Sequence, residues 1–314
     1  MNRNAKKKQA LGYAAGVSLG LLMGVSVLFV KLALEYSSPL DIQAYRVTLG
    51  FLCSIIPVVL GKVRLGIDRK ALKMMLPAAL CHPFLFFLLQ ALGLQTLPTA
   101  EAGIIQAMAP VFTLIIAAFL INKEKAGNLQ IIFTLLSVAG VILVITLNGI
   151  SIEAFDFTGT FYTILSTISI STYIVLGRRI TASYSWYTLS VVLLGFGAVA
   201  FNVTAVSIHL YRGDIETFLT PLLSGRFLVI VFILAAGCTF LSNICANYSY
   251  SQLEASRASV FNNLSMVVTM IAGVLFLDER LYWYHVTGAV MILAGVFGAN
   301  YFAARKKKAV QTAP

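Results

Sequence analysis

The chain has 314 residues, 59% of them apolar and only 11% charged, with a mean hydropathy of +0.88. Soluble domains average about 45–50% apolar and about 25% charged, so a soluble enzyme, a nucleic-acid-binding module and a disordered scaffold are excluded. The net charge of +11 would otherwise raise the question of nucleic acid, and its placement along the chain answers that question.

A membrane-crossing helix needs about 20 apolar residues. Ten apolar segments of that size follow one another: 11–30, 42–60, 74–94, 99–121, 129–147, 158–176, 186–210, 227–250, 255–277 and 284–304. We number them spans 1 to 10. They leave no room for a soluble domain. Helices are expected because lipid leaves no other partner for backbone polar groups, and the alternation of a β-barrel strand is absent. The predicted fold is an all-α membrane protein. Asp41, Thr99 and Ser185 stand where they could cap spans 2, 4 and 7. Pro57, Pro77, Pro83 and Pro110 fall within or near spans, which membrane helices tolerate when neighbours satisfy the freed carbonyls. Span 1 is too long for a signal-peptide core and no small-residue cleavage site follows it, so it reads as a retained helix. Cys53, Cys81, Cys238 and Cys245 lie inside spans as small packing residues, and no metal or cofactor is expected.

Ten spans put both ends on one side. That side collects 18 basic residues, including Arg3, Lys6–Lys8, Arg69, Lys70, Arg178, Arg179 and Arg305–Lys308; the other holds Lys31, Arg212, Arg226 and Arg280. The positive-inside rule then makes both termini cytoplasmic in a plasma or inner membrane. The lysine runs read as topology signals and anionic-lipid contacts, not as a nucleic-acid surface.

The chain also repeats itself. Offset by 155, Ala100 meets Ala255, Glu124 meets Glu279, Lys125 meets Arg280 and Gly140 meets Gly295; offset by 147, Gly12 meets Gly159 and Lys31 meets Arg178. Two five-helix units result, 1–150 and 151–314. Five is odd, so the second unit enters the membrane from the opposite side. The ten transmembrane helices become two inverted five-helix repeats, an architecture of alternating-access carriers.

Several pieces resemble the drug/metabolite transporter superfamily and, within it, the EamA-type ten-helix carriers. They are Ala44-Tyr45-Arg46, Pro110-Val111-Phe112, Asn122-Lys123-Glu124-Lys125, Leu277-Asp278-Glu279-Arg280 and the stretch from Gly288 to Gly295. Lys123 stands where the family often has glycine, and Ser265 where it often has proline. The resemblance spans nearly the whole chain. It implies a carrier of small metabolites, often an exporter of amino acids or related compounds, with a cavity between spans 1, 3, 4, 6, 8 and 9.

Gly12, Gly16, Gly20 and Gly24 put a small-residue face on span 1, suited to close helix packing or to sliding. Arg46 and Glu101 are the embedded charges. Such groups are costly in lipid and usually paired or functional, and their similar depth allows them to pair; they are the candidate gating or coupling residues. Polar and aromatic side chains at helical spacing mark inward faces: His82, Phe86 and Gln90 on span 3, Gln106 on span 4, Tyr173 on span 6, Asn243 and Asn247 on span 8, and Asn262 on span 9. These eight are the candidate substrate-binding residues. Glu124 and Glu279 read as junction and gating elements. No phosphate-binding loop or zinc-protease signature occurs. The sequence therefore predicts a secondary transporter with a small-molecule solute and the lipid bilayer as partners, with proton coupling and a monomeric or homodimeric state as open options. A multidrug efflux carrier and a polytopic lipid-modifying enzyme are the alternatives.

Overall fold

The computed structural model describes residues 3–120, 128–148, 157–253 and 261–311, and every regular element among them is helical. Span 1 is Arg3–Ala33 and span 2 Pro39–Val59. Span 3 runs Arg69–Ala79, a π-helical stretch Leu80–Leu85, then Phe86–Gly93. Span 4 is Thr99–Gln106 followed by Ala109–Leu120. Spans 5, 6 and 7 are Asn128–Asn148, Phe157–Ile180 and Trp186–Arg212. Span 8 contains Gly225–Phe232, a π-helical stretch Ile233–Leu241 and Ser242–Gln252. Spans 9 and 10 are Phe261–Leu277 and Trp283–Gln311. Within the described residues each apolar segment of the sequence falls largely on helix. Seven helices, spans 1–4 and 6–8, are long and apolar enough to cross a membrane. Spans 5, 9 and 10 carry shorter apolar stretches, Ile131–Val144, Leu264–Leu277 and Trp283–Ala299.

The exterior is apolar and the interior is partly polar, the reverse of a soluble protein. Val199, Val203, Phe232 and Leu275 point outward, each about two-thirds exposed at 66%, 60%, 62% and 68%. Arg46, Gln43, Ser166, Asn247 and Thr167 are fully buried. In lipid this partition is the favourable one, because outward methyls meet acyl chains and inward polar groups find each other.

The helix pairings have an internal symmetry. Span 1 packs on spans 8 and 9, and span 6 packs on spans 3 and 4. Span 2 touches spans 7 and 8, and span 7 touches spans 2 and 3. Span 5 packs along span 10, and the start of span 4 against span 9. Adding five to every span number, with the two sets exchanged, returns the same list.

The span 1 glycines set the closeness of the span 1–9 contact. A Cβ at Gly20 would lie 2.6 Å from the Phe261 carbonyl oxygen, and one at Gly24 would lie 2.7 Å from the Ser265 carbonyl oxygen. Both distances are below any real Cβ contact with backbone, so only glycine permits this approach. At the far end of span 7, Gly213 adopts φ +71 and lets the helix stop in a left-handed cap.

The helix ends differ from the expected caps in two of three places. Ser185 does cap span 7, accepting from the Tyr187 N–H. Span 2 is capped by Ser38, whose Oγ accepts from the Asp41 N–H. Asp41 is instead buried against His209 of span 7, with both carboxylate oxygens 3.2 Å from Nε2, while His209 Nδ1 sits 2.8 Å from Asp214. Thr99 does not cap span 4. That end is held by a carboxylate from the other half of the chain.

Candidate functional site

Two polar assemblies stand out, one at an end of the bundle and one inside it. At the end expected to face away from the cytoplasm, Glu279 follows span 9 and reaches the first turn of span 4. Its Oε1 accepts from the Thr99 N–H at 2.8 Å, and its Oε2 accepts from the Thr99 hydroxyl at 2.6 Å and the Ala100 N–H at 3.1 Å. The first N–H groups of a helix have no partner within it and carry partial positive charge, so a carboxylate there is stabilising. Lys31, at the end of span 1, donates to the Leu94 and Leu97 carbonyls at 2.9 and 3.1 Å. A cavity of about 450 Å³ lies between these groups, lined by Lys31, Glu35, Gln95, Thr96 and Glu279. Two residues after Thr99, Glu101 is buried on span 4, its Oε1 4.0 Å from His285 Nε2 of span 10.

The opposite end repeats part of this construction. Arg178, at the end of span 6, donates to the Tyr250 and Ser251 carbonyls at 2.8 and 3.0 Å. These belong to the last turn of span 8, as Leu94 caps span 3 and Leu97 follows in the turn beyond it. The predicted match of Lys31 with Arg178 is therefore a match of interaction as well as of position. Glu124, the partner of Glu279 in the repeat, lies outside the described residues.

The inner assembly runs through the middle of the bundle. Arg46 is completely buried. Its Nε donates to Thr239 Oγ1 of span 8 at 2.9 Å, one terminal nitrogen to Ser26 Oγ of span 1 at 3.1 Å, and the other approaches Gln43 Oε1 at 3.5 Å. The guanidinium carbon stands 4.1 Å from the centroid of the Phe87 ring, a cation–π contact. Arg46 and Glu101, which the sequence allowed to pair, thus have different partners in different assemblies.

From Phe87 the seam continues through aromatic rings. The ring of His82 lies 5.0 Å from that of Phe87 and 5.4 Å from that of Phe86, and it stacks on Tyr173 at 4.6 Å with an interplanar angle of 17°. His82 reaches Tyr173 because span 3 breaks there: His82 has φ −144 and ψ 121 inside an otherwise helical run, just before Pro83. Proline removes a donor and crowds the preceding turn. The Cys81 carbonyl beside the break accepts from both the Phe86 N–H and Ser169 Oγ of span 6. Neighbouring side chains thus help satisfy the broken helix, as expected in a membrane.

Tyr173 passes the seam to span 8. Its hydroxyl donates to Asn247 Oδ1 at 2.6 Å, and Asn247 Nδ2 donates to Ser190 Oγ of span 7 and to Asn243 Oδ1, both at 2.8 Å. Gln90 and Gln106 join spans 3 and 4 through a 3.3 Å hydrogen bond. Several buried polar atoms keep no hydrogen-bond partner among the described residues, including His82 Nδ1, Gln43 Nε2, Gln106 Nε2, Asn243 Nδ2 and Ser166 Oγ. Unsatisfied groups are few in native interiors, and three of these, on Gln43, His82 and Asn243, belong to residues of this seam.

Of the predicted binding residues, His82, Phe86, Tyr173, Asn243 and Asn247 come together, and Gln90 and Gln106 pair with each other. The side chain of Asn262 lies outside the described residues. Sequence reading missed Gln43, Ser26, Ser190 and Phe87 as members of the seam. Gln43 was the accessible one, since it stands three residues before Arg46 on the same helix face.

The EamA-like transporter family matches residues 10–146 and again 157–301. The chain belongs to the EamA-like transporter family. A relative from Bacillus subtilis (strain 168), "Uncharacterized transporter YcxC", is 37% identical over 303 residues, covering 96% of this chain and 97% of that protein. "Solute carrier family 35 member G1" of Mus musculus is 26% identical over 315 residues, covering 94% of this chain and 80% of that one. A solved crystal structure superposes with a TM-score of 0.63 over 95% of this chain and 97% of its own, at 17% identity, which shows the shared fold. The chain is a multi-pass membrane protein of a family of transporters, and the family and its relatives point to transport, not to an enzyme. As an EamA-like member it falls within the drug/metabolite transporter superfamily that the motifs resemble.

Proposed function

We propose that this EamA-like protein is a secondary carrier that moves a small polar metabolite across the plasma membrane by alternating access. The observation that carries the reading is the buried polar seam. It draws Ser26, Arg46 and His82 from the first half and Tyr173, Thr239, Asn243 and Asn247 from the second. A site built at the junction of two halves changes its exposure when one half rocks against the other. Residues 1–150 and 151–314 are the two inverted five-helix units in this scheme. The interchangeable helix pairings and the Lys31 and Arg178 contacts support it.

The Glu279 and Lys31 contacts close the non-cytoplasmic end, and Glu101 beside His285 is the gating or coupling group there. Arg46 acts within the seam. Both termini are cytoplasmic, which the distribution of basic residues supports. Export driven by the solute's own gradient or by protons is the direction of transport. Counterflow in proteoliposomes tests the reading. Vesicles loaded with an unlabelled metabolite extract should exchange at least one labelled metabolite only when the protein is present. Chemical turnover of lipid without solute exchange would refute it.

A further inference from the structure

Arg46 is a positive charge without a negative partner among the described residues. Among the described residues no carboxylate lies within 4.0 Å of it, and its hydrogen-bond acceptors, Ser26, Gln43 and Thr239, are all neutral. The nearby acid on its own helix, Asp41, is engaged by His209. Removing a guanidinium from water without a counter-ion is strongly unfavourable. Neutral hydroxyls and one aromatic face recover only part of that.

The polar atoms around Arg46 point the same way. A guanidinium has five N–H groups and no acceptor, and here two of the five find a good partner and a third a long one. Arg46 can only donate, so Gln43 must turn its oxygen toward it, and this leaves Gln43 Nε2 as a buried donor with no partner. One turn beyond Thr239 on span 8, Asn243 spends its oxygen on Asn247, and its Nδ2 is likewise unpartnered. The set around the charge is rich in donors and short of acceptors.

We infer that the carried solute is an organic monoanion, a carboxylate with no ammonium group, whose carboxylate is held by Arg46, Gln43 and Asn243. The inference rests on the carrier reading and names its substrate class. A single buried cation neutralises a single negative charge, so a carboxylate fits where a phosphate dianion would leave excess charge. An amino acid brings an ammonium that needs an anion, and the other buried acid, Glu101, stands with His285 in the outer assembly. Burial of Arg46 among spans 1, 2 and 8 keeps lipid headgroups away from it. The rest of the solute then meets Phe87, His82 and Tyr173, which favours a flat or apolar body.

The test uses the purified full chain in chloride-free buffer. Thermal stability is measured with pyruvate, 4-methyl-2-oxopentanoate and phenylpyruvate, each beside the amino acid and the 2-oxo amide of the same skeleton, and beside chloride and inorganic phosphate. At least one oxo acid should raise the unfolding temperature, while its amino acid and amide partners do not. Its half-saturating concentration should rise about tenfold or more in Arg46→Gln, as expected for losing a charge-assisted bond, and less in Arg46→Lys. An equal response to the amino acid, the amide, chloride or phosphate overturns the assignment. So does a flat response to all three oxo acids, which needs no variant to fold. Counterflow separates the two levels: exchange of neutral or zwitterionic solutes alone refutes the anion and keeps the carrier, whereas no exchange of any bound compound refutes the carrier.

Discussion

Replacing Glu279 by alanine removes the clamp between span 9 and the start of span 4. Two backbone N–H groups and the fully buried Thr99 hydroxyl lose their acceptor together. Loss of a helix cap costs about 1 kcal/mol. Loss of a negative charge at a helix N-terminus costs about 0.3–1 kcal/mol. A buried hydroxyl left unsatisfied costs about 1–3 kcal/mol. Together these give about 2–5 kcal/mol. For a chain of this size that corresponds to a fall in unfolding temperature of about 3–8 °C. Glu279→Gln keeps one acceptor oxygen and loses the charge, so it should fall about halfway. The assay is thermal unfolding in detergent followed by the intrinsic fluorescence of Trp186 and Trp283, with Thr99→Ala and the double variant completing a cycle. Glu279 and Thr99 share a bond, so the cycle should show coupling of about 1–2 kcal/mol. Additive single effects, or an alanine variant as stable as the parent, would refute the clamp.

Other outcomes follow from the packing and the seam. Gly20→Val drives a side chain into the Phe261 carbonyl and should lower stability by about 1–3 kcal/mol or more, whereas Gly66→Ala, where a Cβ meets nothing within 4 Å, should be neutral; equal thermal stability of the two variants would dismiss the close packing. Tyr173→Phe strips Asn247 of its hydroxyl donor and leaves a buried oxygen unsatisfied, costing about 1–3 kcal/mol, and counterflow should drop more than the amount of folded protein does. Green fluorescent protein fused at either terminus should fluoresce, since it folds in the cytoplasm; a dark fusion with an intact chain places that terminus outside.

The legible part of the site was the kind of residue and its face, not its partners. Arg46 and Glu101 announced themselves as charges inside apolar runs, and the spacing of His82 with Phe86, and of Asn243 with Asn247, marked inward faces. What each charge meets depends on helix rotation and tilt, and periodicity carries no information about those. Arg46 therefore found Ser26, Gln43, Thr239 and Phe87 instead of Glu101. Asp41 found His209, 168 residues away, instead of its own helix start. The kink at His82 was foreseeable from Pro83, but the stacking on Tyr173 that follows from it was not.

Composition and periodicity by themselves determined the solvent and the helical class and marked ten apolar segments, because each depends only on local hydrophobicity and on counting. The tertiary structure alone decided that span 4 begins on the carboxylate of Glu279, that span 1 presses its glycines onto span 9, and that a buried guanidinium is left with neutral partners. Those features are contacts between residues remote in sequence, set by how helices pack once the bilayer has already chosen them.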